Sequence, residues 1–595
     1  MARAPTASSA PFGVCWRHPA EHRQEPIRGG ASETLTNNSR LFPMWVISVD
    51  NFLELDELRP HQELLAAGKL CEYERGTGFV TFVSHQWSSS SHPDPSRIQF
   101  LSLQAALRNM RSGRMQLSQD GVAFVRGNLK RRVCPDDLKA VASGWLWIDY
   151  SSIPQVGLHS FDQSQLDGAF TKAVMSLHTY VADSSFFVIL APSQHHEKGH
   201  LMSYSSWKSR GWCQFELAVN ILLGTKPVLL ISSETAVKHL CFRMFYHLAP
   251  CCAEFTNESD RHHIAAAMQQ VVEFQAEEHR SAGRSHESQM LECLRCKLLR
   301  FPTSPDPSCP APGLRKVSRT RSFLNLTDSH NGWTDLHYAV ARSNEEMVVK
   351  ILAMRADVHA QTLGPEVDFF LRGGLTPLHI WTCFSTSAHI AELLISYQAD
   401  VNFPAQRRWT PLMVACEVGN ELVVRTLLRL RADPNGQTRL NTRPLSVAVC
   451  YDYPSLVDPL LEARADPWYE WAGIGTLHQL GASGSGGSLE RLLREGLDVN
   501  SRAYFNLVSK AGIAHFLYRL WDRDIRHDYQ LMQGGTPLVF AAARGNCEAL
   551  QALLEAQADI HIPNSWGQTA YQISAQTGVP DEVLQLLRSP AEAAA

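Results

Sequence analysis

The sequence predicts a multidomain protein, with an N-terminal α/β domain built on a parallel sheet and a C-terminal all-α solenoid. Two observations carry this reading. A Thr-Pro-Leu-His-like opening recurs through the second half every ~33 residues, in phase with a second recurring pair, Ala-Asp. In the first half, short apolar runs rich in β-branched and aromatic residues alternate with stretches of helical periodicity. The 595 residues exceed one domain. With 44% hydrophobic and 19% charged residues, the chain has enough apolar material for several cores.

The openings are Thr334-Asp335-Leu336-His337, Thr376-Pro377-Leu378-His379, Thr410-Pro411-Leu412, Arg443-Pro444-Leu445, Thr476-Leu477-His478, Thr536-Pro537-Leu538 and Thr569-Ala570-Tyr571. The second signature is Ala356-Asp357, Ala399-Asp400, Ala432-Asp433, Ala465-Asp466, Leu497-Asp498 and Ala558-Asp559, each following a leucine-rich segment. Threonine suits a helix N-cap, proline the first helical turn, and the leucine a contact with the next repeat. The two signatures together resemble ankyrin repeats. That resemblance implies stacked helix pairs over 331–595 and a concave face that binds a protein partner. Two spacings are too long, which places inserts near 361–374 and 501–533. The apolar segment 505–521 reads as a degenerate helical repeat. Gly481, Gly484, Gly486 and Gly487 interrupt the Thr476 repeat and weaken it locally. Trp381, Trp409, Trp468, Trp471 and Trp566 are candidate anchors where they fall near finger turns, and packing residues otherwise.

Five prolines between Pro302 and Pro312, followed by Arg315, Lys316, Arg319 and Arg321, mark 301–330 as a Pro-rich basic linker. Few contacts are expected to cross it, so the halves should fold independently. Residues 1–40 read as a disordered tail.

The α/β domain with its flanking helices covers 41–300, with a core at 77–232. Its strands are expected at 79–84, 145–149, 184–191 and 227–232, with helices over 97–110, 170–182, 212–223 and 254–300. Polar residues follow the first two strands, at His85, Gln86, Trp87 and Asp149, and ligands of parallel sheets bind beyond such carboxyl ends. Phe82-Val83-Ser84-His85-Gln86-Trp87, Leu146-Trp147-Ile148-Asp149 with Gln155, and Arg210-Gly211-Trp212 with Glu216 resemble boxes of TIR-like and heterokaryon-incompatibility (HET) domains. Trp212-Cys213-Gln214-Phe215-Glu216-Leu217 resembles the TIR Trp-Cys-x-x-Glu-Leu element. The chain departs from HET domains at Ser152, near which they carry a cysteine.

The resemblance implies a flavodoxin-like, TIR-type fold. It also implies that Glu216 stands where enzymatic TIR domains use a glutamate to cleave NAD at the nicotinamide–ribose bond. A carboxylate there can stabilise an oxocarbenium-like state. The structural alternative is an acid in the first turn of a helix, favoured by the dipole. His85, Trp87 and Asp149 line the same cleft on the functional reading. On the other, Asp149 satisfies loop backbone and Trp87, Trp147 and Trp212 are core.

A net charge of −4 argues against a general nucleic-acid or membrane-surface binder. No apolar run reaches the ~18–20 residues that span a bilayer. The 14 dispersed cysteines suit reduced thiols in the cytoplasm, or alternatively the nucleus. Cys293-Leu294-Arg295-Cys296 has no second pair at zinc-ribbon spacing, so no metal is expected. No Walker loop, GxGxxG or GxSxG motif occurs. The expected function is an intracellular interaction scaffold or signalling protein with no required cofactor, whose N-terminal domain self-associates. The alternative is an enzyme, an NAD glycohydrolase regulated by the array, with NAD as substrate.

Overall fold

The computed structural model describes residues 40–119, 133–155, 163–223, 226–234, 236–240, 248–258, 260–299, 330–363, 371, 373–384, 387–439, 441–470, 473–504, 531–577, 579 and 581–588. The expected tail, most of the linker, the degenerate repeat at 505–521, Trp471 and the centre of the 361–374 insert lie outside these residues.

The first half is built on a mixed sheet rather than a purely parallel one. Its strands are β1 (Trp45–Ser48), β2 (Leu70–Glu72), β3 (Val80–His85), β4 (Gln116–Gln119), β5 (Trp145–Ile148), β6 (Phe186–Leu190), β9 (Val228–Ile231) and β10 (Ala236–Leu240), with a separate pair β7 (Gln194–His195) and β8 (Leu201–Met202). The order is β2-β1-β5-β3-β6-β9-β10-β4. The four strands read from the sequence form its parallel centre, β5-β3-β6-β9. The departure is at the edges, where β1 runs antiparallel to β5 and β10 antiparallel to β9. Those edge strands are too short for their patterns to stand out.

Side chains of the central strands alternate between two cores, as a pleated sheet covered on both faces requires. Phe82, Trp147, Phe187, Ile189 and Leu230 face the helices Leu177–Asp183, Gly211–Leu222 and Asp260–Ser281. Val83, Leu146, Ile148, Val188 and Leu229 face the helices Ile98–Arg111 and Pro135–Val141. Phe82 and Trp147 stack with ring centroids 4.5 Å apart, which fixes β3 against β5.

The second half consists, among the described residues, of seven helix pairs. They begin at Asp335, Pro377, Pro411, Pro444, Thr476, Pro537 and Ala570, each at or next to an opening read from the sequence. The Thr410 and Thr536 hydroxyls accept the backbone N–H of Met413 and Val539, capping their helices as expected. At Thr334 and Thr376 the cap differs, since the hydroxyl meets Nδ1 of His337 or His379 at 2.8 Å. Each histidine's Nε2 then reaches a carbonyl of the following repeat, Leu375 or Trp409.

The aspartates of the second signature share one task. In every finger the carboxylate accepts the backbone N–H two residues on, from His359, Asn402, Asn435, Trp468, Asn500 and His561, at 2.8–3.0 Å. The side chains of His359, Asn402 and Asn435 accept the backbone N–H of the next repeat's aspartate, so the fingers form a ladder. Trp468 occupies the same position and has no acceptor to offer.

Gly481, expected to weaken its helix, also has a packing role. A Cβ there would sit 2.4 Å from the Pro537 carbonyl, so glycine permits close stacking of the Thr476–Ser483 and Pro537–Ala543 helices. Asn546 then donates to the Gly481 and Gly484 carbonyls, which ties the turn down.

The two halves are not independent. One apolar core runs continuously from Met44 to Leu587. The helix Ser285–Leu298 lies against the first repeats, where His286 Nδ1 meets the Tyr338 hydroxyl at 2.6 Å and Lys297 donates to the Cys383 carbonyl. Farther along, Ser205 lies 3.1 Å from a carboxylate oxygen of Asp452 and 2.8 Å from one of Glu548, and Lys208 pairs with Asp452. The amphipathic stretch 254–300, read as flanking the α/β domain, does pack there through Asp260–Ser281, and Ser285–Leu298 carries the contact on to the array.

Leu378 and Leu412 are buried between repeats. Either change to alanine is expected to cost ~2–5 kcal/mol, and Asp433→Ala well under that, in chemical denaturation followed by helical circular dichroism. Equal costs for leucine and aspartate would mean that the stacking is misassigned.

Candidate functional site

The polar residues expected at the carboxyl ends of the central strands do converge there. His85 ends β3, Asp149 follows β5 directly, and Trp87 lies two residues beyond His85. The Asp149 carboxylate collects three partners. One oxygen meets His85 Nε2 at 2.7 Å and accepts the Tyr150 backbone N–H at 2.6 Å, and the other accepts the Trp87 indole N–H at 2.9 Å. Asp149 therefore serves loop backbone and the site at once.

The charges in this group reinforce one another. Burial opposes the imidazolium of His85, but the carboxylate of Asp149 outweighs it, with Glu216 and Asp94 adding, so the His85 pKa is raised. Burial likewise opposes ionisation of Asp149, and His85 with the Trp87 and Tyr150 N–H groups outweighs it, so its pKa is lowered. Asp149 keeps 27% of its side chain exposed, whereas His85 keeps 2%. The pair is thus open to solvent at the aspartate and closed at the histidine. His85 Nδ1 is buried with no hydrogen-bond partner among the described residues.

Glu216 sits deeper. It is not in the first turn, because the helix spans Gly211–Leu222 and has no acid there. Its side chain is buried beside the Ser84 hydroxyl, which also receives the Trp207 indole N–H at 3.1 Å. Burial pushes the Glu216 pKa up to about 8, Asp149 adds to the rise, and Ser84 and His85 oppose it. Burial thus favours the neutral acid, which can donate a hydrogen bond, over the carboxylate. The neighbouring Cys213 thiol lies 3.7 Å from the His85 carbonyl, and burial pushes its pKa well up, so it is no nucleophile. Ser152 is fully buried and accepts the Ile148 backbone N–H, a structural task.

Trp207 is the member of this cluster that sequence reasoning missed, since its partner Ser84 lies 123 residues away. Its local signal is the Ser203-to-Ser206 capping box that starts the short Tyr204–Ser209 helix. Trp147 is core, as its packing reading has it, and Trp212 is half-buried with its N–H on Asp260. A polar hollow of about 310 Å³ lies between Ser203, Ser205 and Ser206 on one side and Ser485, Glu548 and Gln551 on the other, and neither Glu216 nor His85 lines it.

On the array, Trp381 and Trp409 are buried, whereas Trp468 and Trp566 are 61% and 63% exposed on the fingers. Leu363 and Tyr504 are also exposed. Exposed large apolar groups at such turns are candidate contact residues for a partner.

The comparisons bear on this half. A family profile described as ankyrin repeats (3 copies) matches residues 360–438 and 381–470, and a second, ankyrin repeats (many copies), matches 524–574. A putative ankyrin repeat protein of Rickettsia felis is 31% identical over 111 residues, or 18% of this chain and 46% of the relative. The chain thus spans about half the length of the curated relative it matches. Among solved structures, the ankyrin repeat domain of Bcl-3, a member of the IkappaB family, is similar at 21% identity and a TM-score of 0.32, over 44% of this chain and 100% of that one. The C-terminal region of the chain carries ankyrin repeats.

Proposed function

We propose that the protein is an intracellular interaction scaffold or signalling protein that engages a protein partner through its ankyrin array. The observation that carries this is the exposure of Trp468, Trp566, Tyr504 and Leu363 at and near the finger turns, on a stack whose Trp381 and Trp409 are buried. The N-terminal domain is read as TIR/HET-like. Its four central strands, numbered in chain order, stand 2-1-3-4, as the flavodoxin-like order begins, and the three boxes meet at their carboxyl ends. Self-association of that domain and residence in the cytoplasm complete the proposal.

The test uses photo-crosslinking side chains in the full-length protein inside cells. Protein adducts are expected from positions 363 and 566, and not from position 41, an exposed leucine on the N-terminal domain. Adducts spread evenly over the three positions, or absent from the fingers, would overturn the reading.

The hydrolase alternative needs Glu216 as a carboxylate within reach of a ribose. Burial and its retained proton count against it. Nicotinamide release from NAD by the full-length chain, lost on Glu216→Gln, would restore it.

A further inference from the structure

We infer that the fingers of the second to fourth repeats form a site for an acidic protein segment that places one apolar side chain on Trp468. The inference rests on the reading of the array as the binding half and specifies which part binds and what it binds.

Three described fingers end in the same tight turn. The Ala405, Thr438 and Asn564 backbone N–H groups each donate to the carbonyl four residues on, and each of these residues' own carbonyls accepts the N–H of the residue one before that. In every case this residue has a positive φ, and in two of them it is Asn441 (φ 62) or Gly567 (φ 77), the types that adopt it at least cost. In the first finger it is Arg408 (φ 63), preceded by a second arginine in the same region, Arg407 (φ 58). Two consecutive arginines in a conformation costing ~1–2 kcal/mol each stand where asparagine or glycine would fold more easily. Strain of this kind at an exposed tip points to the side chains themselves.

These arginines belong to a larger surface. The Arg439 backbone N–H donates to the Arg407 carbonyl at 3.0 Å, so a third basic residue adjoins them from the next finger. Arg407, Arg408 and Arg439 are exposed and have no ion-pair partner among the described residues. The same second finger touches the third, where the Arg443 guanidinium lies 4.0 Å from the centre of the Tyr469 ring and pairs with Asp466. Trp468, exposed beside Tyr469, stands at the position whose side chain would continue the finger ladder and interrupts it, the ladder resuming where Asn500 accepts the Asp559 backbone N–H. The result is three exposed guanidinium groups and an exposed indole on neighbouring repeats. Arginine forks favour carboxylates, and an indole held at the edge of a rigid turn is a contact for an apolar side chain. A nucleic acid fits less well. The exposed carboxylates of Asp400, Asp433 and Glu470 among the arginines leave no continuous basic track for a phosphate backbone, whereas a peptide can space its carboxylates to meet the guanidinium groups alone.

The experiment measures fluorescence anisotropy of the full-length protein with a short labelled peptide rich in aspartate and glutamate and carrying one central phenylalanine. A lysine-rich counterpart and single-stranded oligothymidylate are the comparison probes. The acidic peptide is expected to bind, and to weaken as salt is raised. The combined Arg407→Asn, Arg408→Asn and Arg439→Gln variant should bind it at least ~10-fold more weakly, since asparagine keeps the backbone and loses the charge. Trp468→Ala should weaken it as well, with the salt dependence retained. Absence of binding, equal binding of the lysine peptide, or unchanged affinity in the arginine variant overturns the inference. Tighter binding of oligothymidylate that the same variant abolishes also overturns it, in favour of nucleic acid. Binding kept by the arginine variant but lost on Trp566→Ala would move the site to another finger and leave the array as the binding half.

Discussion

Acidification from pH 6.5 toward 4 is expected to unfold the ankyrin array. Burial pushes the pKa of His337, His379 and His478 down to about 4, against an ordinary 6.5. The hydrogen bonds explain why a second proton is unwelcome. At His337 and His379, Nδ1 accepts the backbone N–H of the opening threonine, and Nε2 spends its hydrogen on the next repeat's carbonyl. A proton added at Nδ1 would face that N–H inside an apolar core. The sign follows from linkage. Between about 4 and 6.5 the unfolded histidine takes up a proton that the folded one refuses, so stability falls as pH falls. Each site loses about 1.4 kcal/mol per pH unit in that window, and the three together about 4. That is a large share of the ~5–15 kcal/mol that holds a typical fold. Thermal melts followed by helical circular dichroism should drop steeply from pH 7 to pH 5. A variant with all three histidines changed to glutamine should show a much flatter profile. Identical melting at both pH values in the wild type would show that these histidines are not neutral and buried.

The second large effect runs in the opposite direction, in the N-terminal domain. Glu216, with its pKa raised by burial to about 8 from 4.5, keeps its proton in the folded state where the unfolded chain releases it. Stability tied to this group is therefore fully present below about 4.5 and is lost as pH rises toward 8, at about 1.4 kcal/mol per unit. Glu216→Gln keeps the shape of the neutral acid and removes the titration. The variant should match the wild type near pH 4.5 and exceed it by a few kcal/mol near pH 8 in denaturant unfolding followed by tryptophan fluorescence. Trp207, which shares Ser84 with Glu216, lies at the right place to report it. A constant difference between wild type and variant across this range would place Glu216 in water as a carboxylate and revive its catalytic reading.

The four central strands and the array were legible because both repeat a physical task. Each strand needs an apolar run covered on two faces, and each finger needs an aspartate for its Asx turn. The edge strands were not, since Trp45–Ser48 and Leu70–Glu72 are too short to show a period. The convergence of His85 and Asp149 followed from their places after two strands. The depth of Glu216 did not follow, because it depends on the Tyr204–Ser209 helix laying Trp207 over Ser84 from far along the chain. The meaning of Gly481 was hidden for the same reason, as the carbonyl it admits is that of Pro537, in a helix beyond the long insert.

The seal that the helix Ser285–Leu298 places on the first repeat gives the array a direction in time. A stack of repeats holds together through neighbour contacts, and an uncovered end melts first. Here the near end has its apolar face closed by His286, Leu291 and Leu294 of that helix, while Trp333 and Leu336 of the first repeat complete the closure. Opening should therefore start at the last helix pair, Ala570–Thr577 and Asp581–Leu587, beyond the contacts that Ser205 makes with Asp452 and Glu548. Hydrogen exchange should be fastest in that last pair and slower in the repeats that the N-terminal domain touches at Tyr338, Asp452 and Glu548, so that a partner pulling on the final helices frees them before it disturbs the anchored repeats.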